Sequence, residues 1–392
     1  MADSKKAIIK ELDKRRSTTK VGFITDWGAN EMVKPFHDAC MLAFEDALED
    51  GVLDRPVELV SRDVDGLPTG NAHDVLEAWK ELAAEGCVAI IGPHVSENCL
   101  AMRHYIETEG LVPTIGWAGS DEWQGKWTFA LNQGSLVEEP CIMANFLADR
   151  KVKKVAVLVE NSAIGREYLE HFLRYARFEG LNIGEQFHFS QVAVGMDDLV
   201  AEVKASGADS IAYLGFGVPL VRLRSAMRRL DWLPVTVLTT SFLTTPLLEG
   251  GMQGTAGFFG VDLYDEENPL TQEFTDRFEA RFGYRASNYY TVNAYDIANV
   301  VAHGLSYGHP IAPDGVRRGL EKVKYLPAVS GGAGTLISYG PYVRRGWMGK
   351  DYLVIREAHD GEGGFFSSMP SRLVHRMTPR TLAERAAAKA EQ

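Results

Sequence analysis

A chain of 392 residues that is 45% hydrophobic and 24% charged is long enough for two ordinary domains with a sizeable buried core. Its formal net charge of −12 offers no broad basic surface to neutralise phosphates, which argues against a nucleic-acid partner. No apolar run approaches the roughly 18 residues of a membrane span.

The segment Met1–Lys20 is charged throughout and lacks the apolar stretch and cleavage site of a secretory signal, so a cytosolic protein is expected unless a signal has been removed. The first apolar run, Val21–Ile24, stops at Thr25-Asp26-Trp27-Gly28, and an amphipathic helix over about Val33 to Leu48 follows. Strand, loop and helix in that order open a parallel α/β unit, whose ligands bind beyond the carboxyl ends of the strands. Thr25 to Asn30 is therefore the first expected ligand-facing segment.

The pattern recurs. A strand over Pro56–Val60 precedes a helix from Ala72 to Glu85, with Asn71 as its N-cap. Val88–Ile91 is an apolar run suited to a strand buried on both faces. It ends in Gly92-Pro93-His94-Val95-Ser96, before a helix over Cys99–Glu109. Val112–Ile115 leads into Gly116-Trp117-Ala118-Gly119-Ser120-Asp121, and Phe129–Gln133 is expected to be a short crossing strand.

A second α/β series follows a helix over Glu138–Asp149. Its strands are Val155–Val159, Gln186–Phe189, Ser210–Leu214 and Val235–Leu238, with helices over Arg166–Glu179, Met196–Ser206 and Pro219–Leu230. Ala256–Val261 is expected to cross back. Helices over Pro269–Phe282, Tyr290–Leu305 and Pro313–Val323 come next, then a late strand over Val354–Arg356. The Ala-, Glu- and Arg-rich tail from Pro379 to Gln392 is a terminal helix or disordered.

Several chemistries are absent by motif. There is no G-x-S-x-G elbow, no G-x-x-x-x-G-K-[ST] loop and no H-E-x-x-H helix. Gly215-Phe216-Gly217 lacks the third glycine of a dinucleotide fingerprint, and Gly331–Gly334 suits a flexible turn. The ten histidines show no i, i+4 pairing for a metal, and no cofactor is expected. A hydrolytic site can be imagined from His94, Glu97 and Asp121, but polar residues on loops explain them more simply. Cys40, Cys87 and Cys141 read as buried small residues, with a Cys87–Cys99 disulfide conceivable in an oxidising compartment.

The order of these landmarks resembles the type I periplasmic binding proteins, in particular the branched-chain amino acid and amide-binding group. The resemblance rests on Lys20–Phe23, Ala89–Pro93 with Ser96, Glu109–Ile115, Lys154–Leu158 with Tyr168, Gly207–Ile211, Gly254–Phe258 and Tyr295-Asp296 with Ala298. It implies two Rossmann-like domains with parallel sheets, joined by three crossovers, with a ligand cleft between them closed by hinge motion. The division it implies is an extension over 1–19, a first lobe of 20–135 plus 262–328, a second of 136–261 plus 329–375, and a tail over 376–392.

For the ligand, the resemblance implies Asp26, Trp27, Ser96, Trp117, Ala118, Gly119 and Ser120 from the first lobe. From the second it implies Ile164, Phe216, Ser241 and Phe242, with Asp262 and Tyr264 near the returning crossover. Replacing Ser96 or Phe242 by Ala is expected to weaken binding at little cost in stability. Gly119 and Ser241 stand where amino-acid binders carry a second hydroxyl and an acidic partner. A buried ammonium without a carboxylate costs several kcal/mol, so a zwitterionic amino acid fits poorly unless Asp26 or Asp262 substitutes. The aromatics favour a larger, more apolar ligand, either an aromatic or alicyclic acid or an amide. The expected role is the substrate-binding component of an ABC-type uptake system, without enzymatic activity and with a permease as partner. The alternatives are a cytosolic amide-type sensor acting on a regulatory protein and a branched-chain amino acid binder.

Overall fold

The computed structural model describes residues 18–28, 33–286, 289–349, 352–361 and 370–377. Two compact units divide the chain. The first holds the described parts of Met1–Gln133, Glu267–Ala286 and Tyr290–Gly349, and the second those of Gly134–Glu266, Ser287–Tyr289 and Lys350–Gln392.

The first unit opens with β1 (Thr19–Thr25), α1 (Lys34–Glu49), β2 (Val57–Asp63), α2 (Ala72–Ala84), β3 (Ile90–Ile91), α3 (Ser96–Tyr105), β4 (Thr114–Gly116) and β5 (Thr128–Ala130). Its five strands lie in the order β2-β1-β3-β4-β5, all parallel. Asn71 caps α2 as its sequence implies, its side-chain oxygen accepting the Asp74 N–H at 2.9 Å. Beneath the sheet, Trp79, Leu82, Met102, Ile106 and Trp123 are buried together. The indole N–H groups of Trp79 and Trp123 still find acceptors, Thr114 Oγ1 and the Phe129 carbonyl. Of Phe129–Gln133, expected to be a short crossing strand, Phe129 and Ala130 belong to the buried edge strand β5, in register with β4, and Leu131–Gln133 lead to the start of the second unit at Gly134. Helix α3 starts at Ser96, three residues earlier than its apolar pattern suggests, and ends in a π-helical turn over Ile106–Gly110.

The second unit continues with α4 (Glu139–Asp149), β6 (Val155–Glu160), α5 (Ala163–Glu179), β7 (Ile183–Phe189), α6 (Asp197–Ala205), β8 (Ser210–Leu214), α7 (Leu220–Arg229), β9 (Val235–Leu238) and β10 (Phe259–Asp262). Strand β10, expected to cross back, lies parallel beside β9 in the second sheet. It fits there because Gly260 lets Phe242 lie across it: a Cβ at residue 260 would stand 2.2 Å from Phe242 Cβ.

The chain then returns to the first unit as α8 (Pro269–Phe282), α9 (Tyr289–Tyr307), α10 (Pro313–Leu320) and the antiparallel pair β11 (Leu326–Pro327) and β12 (Leu336–Ile337). It ends in the second with β13 (Val354–Ala358) and β14 (Ser371–Arg376). These complete a seven-stranded sheet, β14-β13-β10-β9-β8-β6-β7, in which only β13 and β14 run antiparallel to their neighbours. The tail from Pro379 lies outside the described residues.

By contacts, 329–349 groups with the first unit and 262–266 with the second, unlike the division implied by the resemblance. Asp296 on α9 accepts the N–H groups of Val329 and Ser330, both at 2.9 Å. Trp347 donates to the Asn132 carbonyl at 2.7 Å. At the other boundary, Arg356 of β13 binds the Tyr264 carbonyl at 3.2 Å and the Glu266 carboxylate at 2.5 Å.

All four cysteines are free thiols. Cys87 precedes β3 and Cys99 lies beyond its other end in α3, so the conceivable disulfide is not formed. Cys141 is half-buried, whereas Cys99 is wholly buried.

Phe242, expected among the ligand contacts, is completely buried and packs across Gly260. Its replacement by Ala should lower unfolding stability by about 3–5 kcal/mol through the cavity left behind. Urea titration tests this, and a loss under about 1 kcal/mol would show that the ring is not a core group.

Candidate functional site

In the first unit the strand order reverses between β1 and β3, the crevice where open α/β sheets bind ligands. Asp26 follows β1 and is buried, its side chain shut off from solvent. Oδ1 accepts the His94 N–H at 2.9 Å; Oδ2 accepts the Val95 N–H at 3.0 Å and Asn98 Nδ2 at 2.7 Å. The carboxylate thus serves the N-terminus of α3, whose N-cap residue Val95 has no capping side chain. Burial works against ionisation here, but the His94 ring, Asn98 and the Val95 N–H outweigh it and hold the carboxyl below its usual range. Gly92 makes the approach possible: at φ +104° it passes so close to β1 that a Cβ would sit 2.3 Å from the Ile24 carbonyl.

Aromatic rings gather around this anchor. The His94 imidazole stacks on Trp117 at 3.9 Å between centroids and 14° between planes. Trp27 stands 5.2 Å from His94, 4.7 Å from Tyr290 of α9 and 6.1 Å from Phe36 of α1. Trp117, His94 and Phe36 are buried. Yet the indole nitrogens of Trp27 and Trp117, and both ring nitrogens of His94, have no hydrogen-bond partner. Buried polar groups are rarely left this way. One helical turn beyond Tyr290, on the same face of α9, buried Asn293 also has both amide atoms unpartnered.

The other expected residues of this unit lie beside the cage. Ser96 Oγ accepts the Gly119 N–H at 3.0 Å, which ties the start of α3 to the loop after β4. Ser120 Oγ accepts the Glu122 N–H at 3.2 Å, and Ala118 is buried. Asp121 is drawn off to Arg345 at 2.8 Å, away from any hydrolytic arrangement with His94. The expected segment Thr25 to Asn30 is described only as far as Gly28.

The second unit repeats the anchoring device. Its order reverses between β6 and β8, and Glu160 at the end of β6 is wholly buried. Its carboxylate accepts the Phe216 N–H at 2.7 Å, the Gly217 N–H at 2.8 Å and the Tyr213 hydroxyl. Ile164 lies in the first turn of α5, directly after this strand, and is 5% exposed. The loop after β9 is stitched to the loop after β8: Thr239 Oγ1 donates to the Gly215 carbonyl at 2.9 Å and Thr244 Oγ1 to the Phe216 carbonyl at 3.1 Å. Ser241 Oγ lies 3.0 Å from Thr239 Oγ1 within this network. Phe216, Ser241 and Ile164 therefore share one end of the second sheet, with Phe216 the half-buried member.

Asp262 and Tyr264 have other duties. Asp262 Oδ1 accepts the N–H groups of Leu263 at 2.7 Å and Tyr264 at 3.1 Å, and Oδ2 lies 3.8 Å from Arg356. Burial pushes this carboxyl up to about 6 despite Arg356. Tyr264 is buried under the same guanidinium, 5.0 Å from its ring centroid.

Glu139, in the first turn of α4, escaped the sequence reading. It is wholly buried and accepts Tyr168 OH at 2.8 Å, the Thr240 N–H at 2.6 Å and Thr240 Oγ1 at 3.1 Å. Phe36, Tyr290 and Glu160 were missed as well. Only Glu160 leaves a local trace, as a charge closing the apolar run Val155–Val159.

The profile of a family described as periplasmic binding protein matches residues 18–349. Leu/Ile/Val-binding protein homolog 8 of Brucella melitensis is 21% identical over 291 residues, 67% of this chain and 70% of that protein. The crystal structure of a leucine-binding protein from Thermotoga maritima superposes with a TM-score of 0.77 at 16% identity, covering 92% of this chain and 99% of that one. A solute-binding protein of an ABC transporter from R. palustris, in complex with 4-hydroxybenzoate, gives 0.75 at 18% identity, covering 92% and 97%. At such identities the solved structures establish the shared fold: two-lobed, mixed α/β with parallel sheets.

Glu139 makes the stability of the second unit depend on pH. Burial lifts its carboxyl to about 8, against the bonds from Thr240 and Tyr168. A folded-state value above the unfolded one means stability that is full in acid and is lost as pH rises through about 8. The parent should therefore lose a few kcal/mol between about pH 5 and pH 8.5 that Glu139→Gln, which cannot ionise, retains. Urea titrations across that range decide it: parallel profiles would mean the carboxyl is not held protonated.

Proposed function

The chain belongs to the periplasmic binding protein family, and from that premise we propose that it captures a small, largely apolar acid or amide with an aromatic or alicyclic body. We take its destination to be an ABC-type membrane transporter, with a permease as partner. The observation that carries this reading is the first unit's cage of aromatic rings with unpartnered nitrogens on Trp27, Trp117 and His94. Flat apolar surface with a few convergent polar groups is the lining of a pocket for a compact, mostly apolar molecule.

Electrostatics supports the same class. An amino-acid ligand needs a carboxylate for its ammonium, and Asp26 and Asp262 were the candidates. Asp26 already serves two backbone N–H groups and an amide, and Asp262 two N–H groups beside Arg356. Pulling either away to meet an ammonium would leave buried donors unpaired, at about 1–3 kcal/mol each. Of the remaining expected residues, Trp27, Ser96, Trp117, Ser120 and Phe216 are those we assign to ligand contact, with Ala118, Gly119, Ile164 and Ser241 shaping the loops around them. Family membership favours work outside the cytoplasm over the cytosolic location expected from Met1–Lys20. No helix among the described residues is long and apolar enough to cross a membrane.

A thermal-shift screen of the purified chain tests the ligand class, because a ligand that binds only the folded state raises the melting point by mass action. Aromatic and alicyclic acids and amides should give dose-dependent shifts of several degrees that Trp27→Ala abolishes. Shifts from leucine, isoleucine or valine alone would overturn the assignment.

A further inference from the structure

Helix α7 of the second unit is rich in arginine, and its arginines are not placed alike. Arg229 pairs with Asp197 at 2.8 Å, and Arg222 Nη1 donates to the Ala193 carbonyl at 3.1 Å. Arg224 and Arg228, one turn apart on the same face, have no hydrogen-bond or ion-pair partner among the described residues. Arg228 is exposed, as a solvated arginine usually is, but Arg224 is only 8% exposed. Arginine buried to that degree ordinarily meets an acid. Here burial, and after it the charge of Arg228, hold the guanidinium below its ordinary value, and no carboxylate acts in the other direction. The chain carries 53 acidic residues against 41 Lys and Arg, so a shortage of acids is not the reason.

The Arg224 side chain is nonetheless firmly placed. Its guanidinium lies 5.2 Å from the ring centroid of the wholly buried Phe258. Nη2 runs beside Gly257, where a Cβ would stand 2.6 Å away and where φ is +86°. That loop is tied to β13: the Gly257 N–H donates to the Ala358 carbonyl at 2.8 Å, and the Ala358 N–H to the Phe258 carbonyl at 2.9 Å. Nε is sealed from solvent without a partner, whereas the two Nη atoms, equally unpartnered, are not sealed. The fork is thus held in one pose with its outer edge open. Gly257 and Phe258 precede β10, so this is the amino end of that strand, opposite the strand ends that carry Glu160 and Phe216.

A planar guanidinium presents parallel N–H groups that match the two oxygens of a carboxylate. The neighbouring Gly257 and Ala358 N–H groups are spent on backbone carbonyls and add nothing to a phosphate cradle. We infer that Arg224, with Arg228 one turn on, forms a carboxylate-binding site on the second unit, filled by a free carboxylic acid or by an acidic side chain of a docking protein. This site is independent of the aromatic cage in the first unit.

Isotope-labelled arginine in the full chain, followed by NMR, reports on the site directly. The Arg224 Nε–H signal, identified by its loss in Arg224→Lys, should shift saturably as acetate replaces chloride at constant ionic strength. Acetamide, the neutral counterpart, should leave it in place. A capped peptide carrying two glutamates, able to meet both arginines, is titrated in the same way. Binding at least about tenfold tighter than that of acetate would mark an acidic protein segment as the source, and equal affinity a free acid. A signal that acetate does not move, or that inorganic phosphate moves at lower concentration than acetate, would overturn the inference. Stability gives a second reading. Arg224→Met keeps a side chain against Phe258 and removes an unpaired charge, so its urea midpoint should match or exceed that of the parent. Acetate should raise the parent's midpoint by mass action above its value in chloride, and should lose that advantage in the variant. A variant midpoint below the parent's would mark the guanidinium as a structural group, and would overturn the inference as well.

Discussion

A buried carboxylate at the end of the first strand of its sheet organises each unit. Asp26 beyond β1 and Glu160 at the end of β6 both accept backbone N–H groups from the loop across the switch point of their sheet. Such loops are rich in N–H groups that have left the strand ladder, and a fixed anion satisfies them where many α/β proteins leave that task to a bound phosphate. The cost of burying the charge is met by several charge-assisted bonds and, at Asp26, by the neighbouring imidazole. The consequence is rigidity. Loops that would otherwise be mobile are held at set positions, and side chains such as His94 and Phe216 inherit that placement.

Committing these carboxylates to the scaffold limits what the protein can recognise. The oxygens of Asp26 and Glu160 already serve the scaffold's own N–H and O–H donors. Beside Asp26 in the first unit stand aromatic rings with unpartnered nitrogen atoms at their edges. On the reading proposed above, recognition shifts from charge pairing towards shape and directional hydrogen bonds.

Much of the chain was legible beforehand because its local signals agree with its tertiary role. The run Val155–Val159, the cap at Asn71 and the Pro269 start of α8 each announce an element that packing then uses unchanged. The segments that were only partly legible are those whose pairing is decided elsewhere. Thr128–Ala130 and Phe259–Asp262 are short apolar stretches that suit a crossing or a sheet equally, and only their neighbours β4, β9 and β13 settle which. β14 was not anticipated, because Ser371–Arg376 alternates too weakly to declare itself without β13 beside it.

The sequence by itself determined two α/β series, loops at strand ends rich in Trp, Ser and Gly, and the absence of familiar catalytic motifs. Periodicity and punctuation are local properties, and they survive without the fold. The roles of Asp26, Phe242 and Glu139 were decided only by tertiary structure. An aspartate, a phenylalanine and a glutamate on or next to loops look alike whether they meet a ligand or hold the scaffold. What separates them is whether other parts of the chain arrive to occupy them. His94 N–H, Gly260 and Thr240 do arrive, over separations of 68, 18 and 101 residues that no local pattern records.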